Sequence, residues 1–374
     1  MALVLNEEQG MLRDSVKAFL SERAPVAHLR KLRDSRDVLG YDRRLWRQFA
    51  EQGYSAILVP EAYGGLGLGA VEAGIIGEAL GRTLTPTPFL STAVLAARML
   101  ARAGSPAQRA KLLPAIAATA VVIAVAIDET SKHRPAAIAS KATRDGSGWR
   151  LSGAKTFVLD GHVADRFIVA ARTAERGLTL LLVDPHAPGV QIERTLMVDA
   201  HNAARLRFDG VKIEADAVLG EVDAGGPVLD EALDLGRAVV AAQLLGIADT
   251  VFGITLGYLK ERRQFDRAIG EFQALQHRAA ELYIDIELTR ALVLGALQAV
   301  DENPAKAALI VAQAKAHACT TADRAVREGV QMHGGIGMTD EFDIGLYMKR
   351  ARTLQELLGD AGFHADRVAA MNGY

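Results

Sequence analysis

Apolar residues recur along this chain with two different periods, and the change of period divides it into three. Up to about residue 118 the spacing is helical. Leu12, Val16, Phe19 and Leu20 fall on one helical face. Asn6, with Gln9 three residues on, has the spacing of a capping box ahead of that face. Similar patterns cover 42–52, 70–80 and 91–103. Two loops interrupt them: the glycine-rich PEAYGGLGLG (60–69) and TLTPTPF (83–89), whose two prolines forbid a regular helix.

From about 119 to 224 the period drops to two. GWRLSGAKTFVLDG, DRFIVAAR, LTLLLVD, GVQIER and ARLRFDGVKI are short and rich in β-branched or aromatic residues. Asp145-Gly146, Asp160-Gly161, Pro188-Gly189 and Asp209-Gly210 supply turn signals between them. No strand–helix alternation appears, which argues against a dinucleotide-binding α/β domain. From 225 onward the helical period returns in long segments at about 228–260, 271–299, 304–332 and 340–358, lengths suited to a bundle. The pattern therefore predicts a mostly α, α+β chain. Its parts are an N-terminal helical domain (1–118), a middle antiparallel, barrel-like β domain (119–224) and a C-terminal four-helix bundle (225–374).

Composition narrows the function. The chain has 374 residues, 43 basic and 45 acidic, for a formal net charge of -2. That balance leaves no electrostatic footprint for nucleic acid or an anionic membrane surface. A single cysteine, Cys319, excludes an intrachain disulfide and fits a reducing compartment. The opening MALVLNEEQGMLRDSV lacks a basic region followed by an apolar run, and AATAVVIAVAI (117–127) is too short to span a bilayer. A cytoplasmic protein is the expectation.

Two segments carry candidate chemistry. In KERRQFDRAIGEFQALQH (260–277), Arg262 offers a forked donor to a diphosphate, Phe265 a flat face to a ring, and Gln273 a paired donor and acceptor. Alone, the stretch reads equally well as an exposed helix end and a new helix start. In QMHGGIGMTDEF (331–342), three glycines in four positions allow close backbone approach, or simply cap a helix. His333 has no second His, Cys or carboxylate at metal-ligand spacing, so no metal site is expected. Cys319 reads as a small packing residue.

Together these segments are more specific than either alone. An RxxF…Q stretch followed about sixty residues later by QxHGGxG, behind a β domain, resembles the acyl-CoA dehydrogenase family. YGGLGLG (63–69) and LSGAKTFVLDG (151–161) extend the resemblance over essentially the whole chain. It implies FAD bound between subunits of a dimer of dimers, an acyl-CoA substrate and an electron-transfer flavoprotein as acceptor. Carried over by position, Arg262, Gln264, Phe265 and Gln273 would contact the cofactor, and Gln331, Gly334 and Gly335 would lie along its ADP moiety. Asp266 stands where the family pattern has glycine. Arg237 matches an arginine near the mouth of the CoA channel.

The resemblance also exposes what is missing. The family reaction needs a carboxylate to take the α-proton while a hydride leaves the β-carbon. The two positions that supply it are here Gly236 and Leu358, and neither accepts a proton. Asp128 stands where a flavin-side threonine would fall; Phe157 replaces a tryptophan, and Leu159 a hydroxyl donor. The pattern implies a subunit that lends its ADP-side surface to a base-bearing partner. Heteromeric members of this kind are associated with steroid side chains and other bulky or dicarboxylic acyl groups. Two alternatives keep the fold: an active homo-oligomer with a displaced base at Asp360, Glu356 or Asp234, and a flavin monooxygenase, which needs no base.

Overall fold

A computed structural model describes residues 3–174 and 177–374. The chain forms two compact units, each built from separated stretches. The first takes the N-terminal segment up to Lys31, Ala70–Thr85 and Arg237–Tyr374; the second takes Leu32–Gly69 and Pro86–Gly236.

In the first unit, α1 (Glu7–Arg23) starts as its sequence predicts, with Asn6 and Gln9 closing a reciprocal capping box. α2 (Val26–Asp34) follows. α3 (Arg43–Glu51), in the second unit, is capped by Asp42, which accepts from the amides of Arg44 and Leu45. α4 (Ala70–Thr83) returns to the first unit. It approaches the bundle so closely that a Cβ on Gly81 would sit 2.1 Å from the Gln243 carbonyl. Glu78 and Arg82 on α4 join Asp249 and Arg290 in an alternating ring of charges. Its contacts are Arg82–Glu78 at 2.6 Å, Arg82–Asp249 at 2.6 Å, Arg290–Asp249 at 2.8 Å and Arg290–Glu78 at 3.6 Å.

The second unit opens with an aromatic cluster of Trp46, Phe49, Tyr54 and Phe89. The stretch after the two prolines, Phe89–Ala96, is a wide π-helix rather than a simple α-turn. α5 (Ala97–Ala103) and α6 (Pro106–Ala117) follow, the latter started by a Ser105–Gln108 capping box. The sheet comprises β1 (Ile123–Ala126), β2 (Lys141–Asp145), β3 (Gly148–Leu159), β4 (Arg166–Arg172), β5 (Leu178–Val183), β6 (Val190–Leu196), β7 (Asn202–Ile213) and β8 (Val218–Leu219). Its order is β6-β7-β3-β2-β4-β5-β8, with β1 alongside β4. Most pairs are antiparallel; β1–β4 and β2–β4 are parallel. Trp149, Leu151, Phe167, Val169, Leu206 and Phe208 form its core. One turn signal did not become a turn. Asp209-Gly210 lies inside β7, where the register with β3 slips and Gly210 takes φ +60°, so the pair makes a bulge and the strand continues.

The bundle of the first unit is made by α7 (Gly225–Glu261, begun in the second unit), α8 (Gln273–Glu302), α9 (Pro304–His333) and α10 (Ile344–Glu356), with α11 (Ala361–Met371) added at the end. Among the described residues only α7 is long and apolar enough to cross a bilayer. With 67% of its most apolar stretch buried in the protein, it reads as a core helix. The last predicted helix, 340–358, is α10, shorter at both ends; α11, which the pattern did not predict, follows beyond it after a turn.

Candidate active site

One end of the bundle collects the residues expected to face a cofactor. α7 runs out at Glu261 into a two-strand hairpin, β9 (Arg263–Gln264) and β10 (Arg267–Ala268). Phe265 and Asp266 occupy its two-residue loop with φ of 52° and 63°, the mirror-image turn that suits a right-twisted hairpin. That backbone explains why glycine fits at 266, and an aspartate tolerates the same conformation. Phe265 is 85% exposed. Gln264, Arg262 and Gln273 are also exposed. Gln273 is the first residue of α8, whose N-cap, Phe272, offers no side-chain acceptor to the helix amides.

α9 ends beside this hairpin. Tyr258 near the end of α7 packs on His333 with ring centroids 4.4 Å apart, and Arg278 of α8 pairs with Glu328 of α9 at 2.6 Å. His333 Nδ1 donates to the Gly329 carbonyl at 2.6 Å, and burial holds its pKa below the ordinary value. The ring is thus a neutral packing element. Gly334 caps α9 with φ +64°, and a Cβ at Gly334 or Gly335 would meet nothing within 4 Å. Gln331, Gly334 and Gly335 are exposed. Arg262, Gln264, Phe265, Gln273, Gln331, Gly334 and Gly335 therefore gather at a single end, which is open, cationic and partly aromatic. An uncapped helix N-terminus beside arginines suits a diphosphate, and an exposed ring suits an adenine or a partner's apolar surface.

The expected base position lies elsewhere in the same unit. After α10 the chain takes Leu358 into the left-handed region at φ 59° and Gly359 to φ 108°. Glycine is needed at 359, because a Cβ there would lie 2.3 Å from the Phe363 ring. Leu358 is buried, and its carbonyl accepts from Arg237 Nε at 3.1 Å and His364 Nε2 at 3.2 Å. Arg237 is only 2% exposed, with its guanidinium 5.6 Å from the Phe363 ring centre. Lys315 on α9 is fully buried and donates to the carbonyls of Leu354, Gln355 and Gly359 at 3.1, 3.3 and 2.9 Å. Its pKa is driven down by burial.

Two of the three candidate carboxylates have other work, and the third, Asp234, is half-buried on α7. Asp360 caps α11 by accepting from the Phe363 amide at 2.9 Å. Glu356 pairs with Arg352 at 2.7 Å, one helical turn away. Helical spacing does not separate these two residues, because the helix has already stopped between them; the cap itself fixes Asp360. Gly236 is buried on α7.

In the second unit, the loop after β1 is tied down by its own charges. Asp128 grips His133 Nδ1 with both oxygens at 2.9 and 3.0 Å. Glu129 accepts from the amides of Ala139 and Ser140 at 2.7 and 3.0 Å and from Lys155 Nζ at 2.7 Å. Burial pushes the Glu129 carboxyl up, but Lys155 and the Ser140 donors together outweigh it and the net shift is downward. Burial drives Lys155 down. Beyond the pair, Phe157 stands at φ +51° and 42% exposed, at a slip in the β3–β7 register. Asp160 is buried and accepts from Ser91 of the π-helix at 2.6 Å.

Sequence reasoning did not find Lys315, Lys155, Glu129, Ser91 or His364. The available signal was a lysine set among small or apolar residues, in AKA at 314–316 and GAK at 153–155.

Family models agree with this architecture along nearly the full length. The acyl-CoA dehydrogenase N-terminal domain matches residues 6–120, the middle domain 123–211 and the C-terminal domain 223–371. The chain belongs to the acyl-CoA dehydrogenase family. Acyl-CoA dehydrogenase FadE27 of Mycobacterium tuberculosis is 31% identical over 88% of this chain and 87% of its own. Among solved structures, the ChsE4-ChsE5 complex from Mycobacterium tuberculosis matches with a TM-score of 0.90 and 29% identity over 100% of both chains. A variant of the Tcur3481-Tcur3483 steroid ACAD matches with 0.89 and 33% over 98% of each. The protein is accordingly an FAD-dependent oxidoreductase acting on the CH–CH bond of acyl-CoA. The open bundle end presents Arg262, Phe265, Gln273 and the bare backbone at Gly334, groups that could hold a diphosphate and a ring.

Proposed function

We propose that this chain is the base-lacking subunit of a heteromeric acyl-CoA dehydrogenase. In this reading it completes the FAD site of a related partner that carries the catalytic carboxylate. The observation that carries it is Leu358. A buried leucine stands where the base would project, and the flanking Glu356 and Asp360 are committed to Arg352 and to the α11 cap. FAD supplies the hydride acceptor. The chain's own part is to hold the ADP half through Arg262, Phe265, Gln273 and the backbone at Gly334–Gly335, and to wall the acyl side with Leu358.

Two structural relatives support a partnered arrangement, since both are named as pairs of different chains. One of them is named for a steroid substrate, which favours a bulky acyl group here. An electron-transfer flavoprotein is the acceptor this reading expects, in the cytoplasm. The test is to purify the chain alone and together with a base-bearing relative. Acyl-CoA-dependent dye reduction by the chain alone should fall short of the complex by about a hundredfold or more, the usual worth of a general base. Robust turnover by the isolated homomer overturns the proposal.

A further inference from the structure

The α10–α11 turn is held by more than its own backbone needs. A helix end leaves its last carbonyls without helical partners, and solvent or a glycine cap usually serves them. Here the carbonyls of Leu354, Gln355, Leu358 and Gly359 all accept from buried side chains on α7, α9 and α11. Lys315 supplies three of these bonds, and its remaining contact is Cys319 Sγ at 3.1 Å. Among the described residues, no carboxylate is a hydrogen-bond partner of Lys315. A buried ammonium with no carboxylate hydrogen-bonded to it is costly, and a methionine would fill the volume more cheaply. The negative end of α10 and three aligned carbonyls offset that cost only while the turn keeps this shape. Leu358 meanwhile holds a left-handed conformation that persists only where its surroundings over-determine it.

We infer that Lys315 is a positioning residue: it fixes the turn so that whatever side chain stands at 358 keeps one orientation toward the acyl thioester. This rests on the assignment of 358 as the family's base position. It follows that the missing base is a one-side-chain change on an intact frame. A glutamate placed there would take the α-proton as the α C–H bond breaks and its electron pair moves into the thioester carbonyl. A solvent deuteron would then return to the same carbon. No oxidant is consumed.

The experiment uses the FAD-loaded complex in deuterium oxide, with the partner's own base changed to glutamine so that it contributes no exchange, and octanoyl-CoA as probe. Leu358→Glu should raise α-hydrogen exchange by about a hundredfold over the native chain. Adding Lys315→Met should abolish that gain, and Lys315→Arg should recover part of it. Independently of any turnover, Lys315→Met in the otherwise native chain should speed amide exchange at Leu357 and Gly359, leaving α8 unchanged. Unaltered amide exchange in the turn overturns the inference. So does a Leu358→Glu protein with no α-exchange, or one whose exchange survives Lys315→Met. Each of these outcomes leaves the dye-reduction comparison standing, so failure here is distinct from failure of the subunit assignment.

Discussion

The bundle end around Phe265 and the loop beside β3 carry the sequence marks of the same cofactor, yet they differ in how much is already occupied. At the bundle end, Phe265 is 85% exposed and Gly334 faces open space. Beside β3, Asp128 is bound to His133, and Glu129 to Lys155 and two amides. The first region waits for something from outside the chain. The second satisfies its charges internally. One region leaves its groups unengaged, whereas the other is held by bonds between its own side chains and amides.

The largest test of this contrast is Lys155→Met. Removing the cation leaves Glu129 in a mostly buried site with two amides and no counter-charge. The change should destabilise the second unit by about 3–5 kcal/mol, read as a lower denaturant midpoint. A loss below about 1 kcal/mol, the range of an exposed pair, would mean the loop is not held as described. At the open end, Arg262→Ala and Phe265→Ala should leave stability unchanged. Arg262→Ala should weaken FAD retention by about 1.5–3 kcal/mol, the worth of a charge-assisted contact, and Phe265→Ala by about 1–3 kcal/mol, the worth of a ring stacked on a base. A fold change in either variant, or unchanged FAD content in both, would break the contrast from the other side.

Acid should act on both units through buried histidines. His364 is buried beside Lys315 and Arg237, and burial followed by those charges pushes it down to about 2. Its folded pKa lies below the unfolded value of about 6.5. Only the unfolded chain gains the proton as pH falls below that value, so stability is full above it and declines toward pH 2. Glu129 is also depressed, but its contribution is present above about 4.3 and is lost only as pH falls through its lower folded value. The first unit should therefore lose stability between about pH 6.5 and 4.5, followed by its amide exchange; in the second unit burial holds His162 down as well and gives a limb of the same sign. His364→Gln should flatten the first unit's limb.

Local rules made some of this molecule legible and hid the rest. Asn6, Asp42 and Ser105 cap helices because capping depends on residues three or fewer positions away. The gathering of Arg262, Phe265, Gln273 and Gly334 at one end follows from helix lengths alone. Asp209-Gly210 misled because the same positive-φ glycine serves a turn or a bulge, and only the partner strand decides between them. The roles of Lys315 and Lys155 were invisible for a stronger reason. Their partners lie 39 to 44 and 26 to 28 residues away, and a lysine's burial is set by carbonyls no local pattern encodes. Leu358 was legible as a leucine at a position where the family resemblance implies a carboxylate. Its left-handed backbone was not, since leucine gives no cue for that conformation.

The smallest effect comes from Asp266→Gly, and it separates two reasons for the glycine that the family pattern has there. The hairpin needs φ +63° at this position, which glycine adopts without the steric penalty of a side chain. If backbone geometry is the whole reason, the variant gains about 1 kcal/mol of local stability, the low end of the left-handed penalty, seen as slower amide exchange across 263–268, with FAD retention unchanged. If the absent side chain also clears space for the diphosphate, FAD retention rises too. A carboxylate facing two phosphates repels them, and its removal strengthens binding most at low ionic strength. A salt-dependent gain in FAD affinity would show that the open end of the bundle is itself partly degraded, and would narrow its difference from the loop beside β3.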